Sequence, residues 1–289
     1  MPLQTPLSRR AALAASATAL ASAYAPSSVF ASYKAPGEVR VIYLGGDFWH
    51  NPVTQELAWR RVLGSTGWRL LFAQQVEALT PDVLAQTDLL IICRYGTPTD
   101  LVWDLPWGNL TLGFSPDRLV EDRPSPSPFP TDEFEDAVIE NVRRGMGLLA
   151  IHCTVWNGER PKFMGLLGVA RPIMHTIVQP ARIHNLNRTH PITRGIEPFD
   201  TGDDEIFNAE LAPGASELLF NTSGEEQKIT AMGGWCREEG RGRVVALLPG
   251  HTQGPYMQVP YNEIMWRASH WALGKTIPTS NLRSWVKKQ

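Results

Sequence analysis

The sequence predicts an α/β fold: a mostly parallel sheet covered by helices on both faces, in a single domain. Three observations carry this. Strand-like and helix-like stretches alternate through the first half of the chain. The strand-like runs "EVRVIYL", "DLLIICRY" and "GLLAIH" are nearly continuous in apolar residues, the mark of strands buried on both faces. The chain has 289 residues, 43% hydrophobic and 19% charged, enough to bury one large core.

The extreme N-terminus stands apart. "LSRRAALAASATALASAYA" has a basic start at Arg9 and Arg10, then a small-residue, uncharged run, the layout of an export signal. The paired arginines point to the twin-arginine route, with small-x-small cleavage after Ala23 or Ala31. The alternatives are a disordered, alanine-rich tail and a short terminal helix. From there the elements follow in order. Residues 38–44 read as a buried strand ending at Gly45-Gly46. "NPVTQELAWRRVLGSTG" reads as a helix with an Asn-Pro start and a Gly-rich stop. A second strand is expected at 68–73, a short helix capped by Thr80, and a third strand at 88–95. Residues 131–144 form a helix with Thr131 as N-cap, acidic first-turn residues, and Phe134, Val138 and Val142 on one face. A fourth strand covers 147–152.

The stretch 96–130 breaks this pattern with seven prolines, and a loop of that length in a compact domain is either functional or disordered. The C-terminal half is richer in β patterning, in "TIVQPARIH", "SELLF", "KITAMGG" and "GRVVALLPGH". A last helix spans about 261–273 and stops at Gly274.

The formal net charge is -2, which gives no electrostatic argument for nucleic acid or an anionic membrane. Beyond the leader, no segment is apolar enough to span a bilayer. Cys93, Cys153 and Cys236 are odd in number and widely spaced, so they make neither a disulfide framework nor a CxxC metal pair.

In open α/β sheets, ligands bind beyond the carboxyl ends of the strands. Three strands end in or lead into histidine: His50, His152 and His251. "DTGDDEIF" adds Asp203, Asp204 and Glu205. Three imidazoles and a carboxylate suit a divalent metal such as zinc, manganese or iron. Each histidine taken alone also reads as a hydrogen-bonded loop residue. Cys153 competes as a nucleophile at a strand–turn elbow. The elbow needs small neighbours, however, and Thr154, Val155 and Trp156 are bulky, so a half-buried structural thiol is expected. His175 either faces the pocket or does not. His190, before a proline, braces a loop, while His184 and His270 are structural or exposed. Trp49 and Trp156 flank His50 and His152, where an indole face can stack on a sugar ring.

The ordered series "GMGLLAIH", "KFMGLLG", "MH", "THPITRGI", "DDEIF" and "GRVVALLPGH" resembles the ThuA-like, trehalose-utilisation family of the class I glutamine amidotransferase-like superfamily. The likeness runs over about residues 38 to 274. It implies one flavodoxin-like, doubly wound domain at 36–276, carrying the Pro-rich insertion at 96–130. An export signal at 1–31 precedes it and a tail at 277–289 follows. Where amidotransferases hold a catalytic cysteine, the resemblance places His152, with Cys153 one position on. It further implies work on trehalose-like or 3-keto sugars, with His50, His152, His251 and Glu205 as metal ligands.

The expectation is therefore a periplasmic, metal-assisted enzyme that isomerises or cleaves a keto sugar. It would take a small carbohydrate as partner and no nucleotide cofactor, with the oligomeric state left open. His152, Glu205 and His175 would do the chemistry, and Trp49, Trp156 and Asp204 would contact the sugar. The rival readings are a non-catalytic sugar-binding protein and a Cys153-dependent hydrolase.

Overall fold

The computed structural model describes residues 33–47, 50–95, 131–156, 160–214 and 216–277. The export leader, Trp49, the Pro-rich segment 96–130 and the tail from 278 lie outside the described residues.

Along the chain run β1 (Arg40–Gly45), α1 (Pro52–Leu63), β2 (Arg69–Ala73), α2 (Pro81–Ala85), β3 (Leu89–Cys93), α3 (Asp132–Arg144) and β4 (Gly147–Ile151). Each expected strand and helix of this half forms, and the reasons are local. Asn51 Oδ1 accepts from Val53 N and Thr54 N ahead of Pro52, opening α1. Thr80 and Thr131 cap α2 and α3 in the same way. In α3, Asp132, Glu133 and Glu135 sit at the positive end and Arg143 and Arg144 at the negative end, matching the helix dipole.

The second half adds α4 (Pro161–Leu166), β5 (Val169–His175), β6 (Gln179–His184), β7 (Phe199–Asp204), β8 (Phe207–Leu211), β9 (Glu217–Gly224), β10 (Ile229–Glu239), β11 (Gly242–Leu247), α5 (Gln253–Met257) and α6 (Val259–Ala272). Among the described residues, nine strands form one sheet in the order β2-β1-β3-β4-β11-β10-β9-β6-β7, and β5 pairs with β8 in a separate ribbon. The first five strands of that order are mutually parallel. β10, β9, β6 and β7 continue the sheet antiparallel. The sheet is thus mixed, parallel on its N-terminal side.

The helices fall into two packed groups, α1 with α5 and α6, and α2 with α3 and α4. Right-handed crossovers put such groups on opposite faces when the winding reverses after β2. The parallel strands form the core: Ile42, Leu44, Leu89 to Cys93, Leu148 to Ala150 and Val245 to Leu247 have no exposure. β5, β7, β8 and α4 have no counterpart among the expected elements. β5 carries Arg171, Pro172 and a largely exposed surface, and β7 carries Asp200, Asp203 and Asp204, so neither shows an apolar run.

Candidate active site

The carboxyl ends of β1, β3, β4 and β11 converge, and the loops leaving them carry the chemistry. Gly46, at φ +85°, turns the chain after β1 toward Asp47 and His50. His152 follows β4 directly and holds φ +50°, a left-handed conformation that costs a histidine about 1–3 kcal/mol. His251 follows β11 after Gly250. The rings meet: His50 and His152 centroids are 5.0 Å apart, His50 and His251 5.2 Å, His152 and His251 5.4 Å. One ring nitrogen from each lies within 4.8 Å of the other two. Glu205, just past β7, completes the group, with Oε2 3.4 Å from His152 Nε2 and 3.4 Å from His251 Nδ1.

The hydrogen bonds decide what these rings offer. His50 Nδ1 lies 2.7 Å from both Asp47 oxygens, and His152 Nδ1 lies 2.8 Å from the Leu248 carbonyl oxygen. Both partners only accept, so both Nδ1 atoms carry the hydrogen, and in the neutral ring the lone pair sits on Nε2. His50 Nε2, His152 Nε2 and His251 Nδ1 are buried with no hydrogen-bond partner. Burial, then the neighbouring His152 and His50, push His251 down to about 3, so it stays neutral. Burial pushes Glu205 up, but His152, His251 and His175 outweigh it and hold the carboxylate down at about 2. Around this carboxylate, His50 Nε2, His152 Nε2 and His251 Nδ1 face a shared point. Orphaned buried nitrogens of this kind fit a bound divalent cation.

A cavity of about 380 Å³ opens onto the cluster. His175, the last residue of β5, is half exposed on its wall, with Nδ1 2.9 Å from Glu205 Oε1. Its ring stacks on Phe207 at 18° and 5.2 Å, and Trp156 stands edge-on to both. Glu205 thus turns one oxygen to the imidazole cluster and the other to His175.

A family model described as ThuA, trehalose utilisation, matches residues 117–272, more than half of the chain. The chain belongs to the ThuA family. That description suggests a sugar-related role. Among solved structures, a ThuA-like protein of Bacteroides uniformis is 17% identical, with a TM-score of 0.61 over 83% of this chain and 93% of that one. One of Parabacteroides merdae is 13% identical, with 0.62 over 85% and 94%. A cytoplasmic protein of Salmonella typhimurium is 12% identical, with 0.51 over 81% and 98%. At such identities the likeness carries the fold. No curated protein sequence matches.

Within this ThuA-family site, two residues differ from expectation. Asp204 does not face the cavity. It is 1% exposed, and its oxygens accept from Gly250 N at 2.8 Å, His251 N at 2.9 Å and Thr252 N at 3.1 Å. It fastens the His251 loop to the strand end that carries Glu205. Cys153 is fully rather than half buried, and burial, then Cys93, push its thiol well above the ordinary range. Its Sγ lies 3.4 Å from His50 Nδ1, the nitrogen already taken by Asp47, so no free imidazole nitrogen faces the thiol to act as base. Trp156 lines the cavity, whereas Trp49 is outside the described residues. His190 braces its loop through Nδ1, which accepts from Ile192 N at 3.2 Å. Asp47 and Phe207 also belong to the site, although neither stands out in the sequence as a site residue. Asp47, three residues before His50 on one post-strand loop, carried a readable signal, because carboxylates commonly hold ligand imidazoles. Phe207 carried none.

Proposed function

We propose that the protein is a metal-assisted enzyme that isomerises or cleaves a 3-keto sugar or keto-glycoside through an enediolate. The observation that carries this reading is the convergence of three buried, unpartnered imidazole nitrogens on a carboxylate at the floor of a sugar-sized cavity. His50, His152, His251 and Glu205 would hold the cation, zinc, manganese or iron, which supplies Lewis-acid polarisation of the C3 carbonyl.

The protein's own groups would do the rest. The Trp156–Phe207–His175 wall binds one face of the sugar ring. A ketone at C3 acidifies the C2–H bond. Glu205 Oε1 accepts from His175 Nδ1, which leaves His175 Nε2 with the lone pair that takes the C2 proton. The C–H electron pair then delocalises onto the C3 oxygen. Delivery of the His175 proton to C3, with the C2 hydroxyl proton passing to the C3 oxygen, gives the 2-keto isomer. Reprotonation of C2 from the opposite face by water gives the epimer. Departure of the C1 substituent with the electron pair, taking the proton held by His175, gives cleavage. The basic, alanine-rich leader supports a periplasmic location for this activity. Metal-reconstituted protein incubated with a 3-keto glucoside in deuterated water tests the reading by NMR. Deuterium at C2 without cleavage marks an isomerase, and aglycone release marks a lyase or hydrolase. Unchanged substrate with fully loaded protein contradicts it.

A further inference from the structure

We infer that Asp47 is a positioning residue that fixes His50 as a metal ligand, so that its loss weakens metal binding while every ligand stays in place. The inference rests on the metal reading above. Asp47 has no solvent exposure. A carboxylate taken fully out of water is costly unless its oxygens are occupied, and here they are. Oδ1 accepts from His50 N at 3.0 Å, both oxygens lie 2.7 Å from His50 Nδ1, and Oδ2 accepts from Tyr95 N at 2.8 Å.

These contacts have three consequences. The carboxylate keeps the hydrogen on Nδ1, which leaves the Nε2 lone pair free on the side where His152 and His251 stand. Its negative charge makes the imidazole a stronger donor. Its bond to Tyr95 N ties the β1 loop to the end of β3, so the ring is held from two strand ends and is flanked by Cys153 Sγ at 3.4 Å. His152 is held differently, by the neutral Leu248 carbonyl. Among the described contacts of the three imidazoles, Asp47 is the charged group that binds a ring nitrogen facing away from the cluster.

The prediction is graded. Asp47→Asn keeps an oxygen to accept from Nδ1–H but loses the charge, and should weaken metal binding about tenfold. Asp47→Ala loses both and should weaken it roughly a hundredfold. The test is titration of chelator-stripped full-length protein with Co²⁺, following the visible absorption of the bound ion and competition by Zn²⁺, with circular dichroism to verify folding. The graded loss together with a shifted Co²⁺ spectrum in the near-isosteric Asn variant supports the inference. Wild-type affinity and an unchanged spectrum in the folded variants overturn it, even if their melting temperatures fall. Failure of the wild type itself to bind Co²⁺ would instead overturn the metal reading on which it rests.

Discussion

At the scale of single residues, the tautomer of each histidine separates a binding site from a structural contact. His50 and His152 donate outward from Nδ1 and turn a lone pair inward. Away from this site, a compact group of such side chains, His190, Glu217 and Cys236, works in reverse. There His190 Nδ1 accepts from Ile192 N, so Nε2 carries the hydrogen and meets Cys236 Sγ at 3.5 Å, a thiol that burial pushes up to about 12. That imidazole braces the loop and has no free lone pair to offer a cation. Cys153 likewise contributes packing. Cys153→Ala should therefore keep full metal stoichiometry and turnover at a cost of about 1 kcal/mol in stability, read from urea unfolding. A thousandfold loss of turnover in a folded, metal-loaded variant would restore the thiol mechanism. His50, His152 and His251 were legible in the sequence because each closes an apolar run. The role of Asp204 was not, since a carboxylate bound to backbone N–H groups and one facing substrate look alike in a string of acids.

At the scale of elements, the site depends on a joint between the two halves of the sheet. β7 ends in Asp204, which binds the backbone of the loop after β11, and the next residue, Glu205, enters the cluster. Glu205 and His251 are thus positioned by one carboxylate. Asp204→Ala leaves three N–H groups of the Gly250–Thr252 turn without that acceptor. It should cost about 1–3 kcal/mol of stability and lower metal affinity at the same time. Unfolding and Co²⁺ titrations on the same preparation check the coupling, and a loss of stability with unchanged affinity would refute it. The parallel strands were readable because burial on both faces leaves an uninterrupted apolar signature. β5, β7 and β8 were not, because polar and exposed side chains separate their few buried ones and leave no apolar run.

At the scale of the whole molecule, a flavodoxin-like parallel half supplies three histidines, the antiparallel extension supplies Glu205, and the separate β5–β8 ribbon supplies His175. No helix among the described residues is long and apolar enough to cross a membrane. Away from the site, burial lowers His190 and His270 below the ordinary value of 6.5. A folded-state value depressed below the unfolded one means that the unfolded chain binds the proton first. The stability these residues contribute is then complete above pH 6.5 and is lost as the pH falls toward their folded values. Between pH 7.5 and 5.5 the wild type should lose more stability than a His190→Gln/His270→Gln variant, as measured by urea midpoints. Equal losses would show that these two rings carry none of the acid sensitivity.

The central claim is that His50, His152, His251 and Glu205 together hold one divalent transition metal. Elemental analysis of freshly purified protein, beside a His152→Ala variant verified as folded, tests it most directly. One equivalent of zinc, manganese or iron is expected in the wild type and little or none in the variant. A metal-free wild type that still binds sugar, or a variant that keeps its full equivalent, would contradict it.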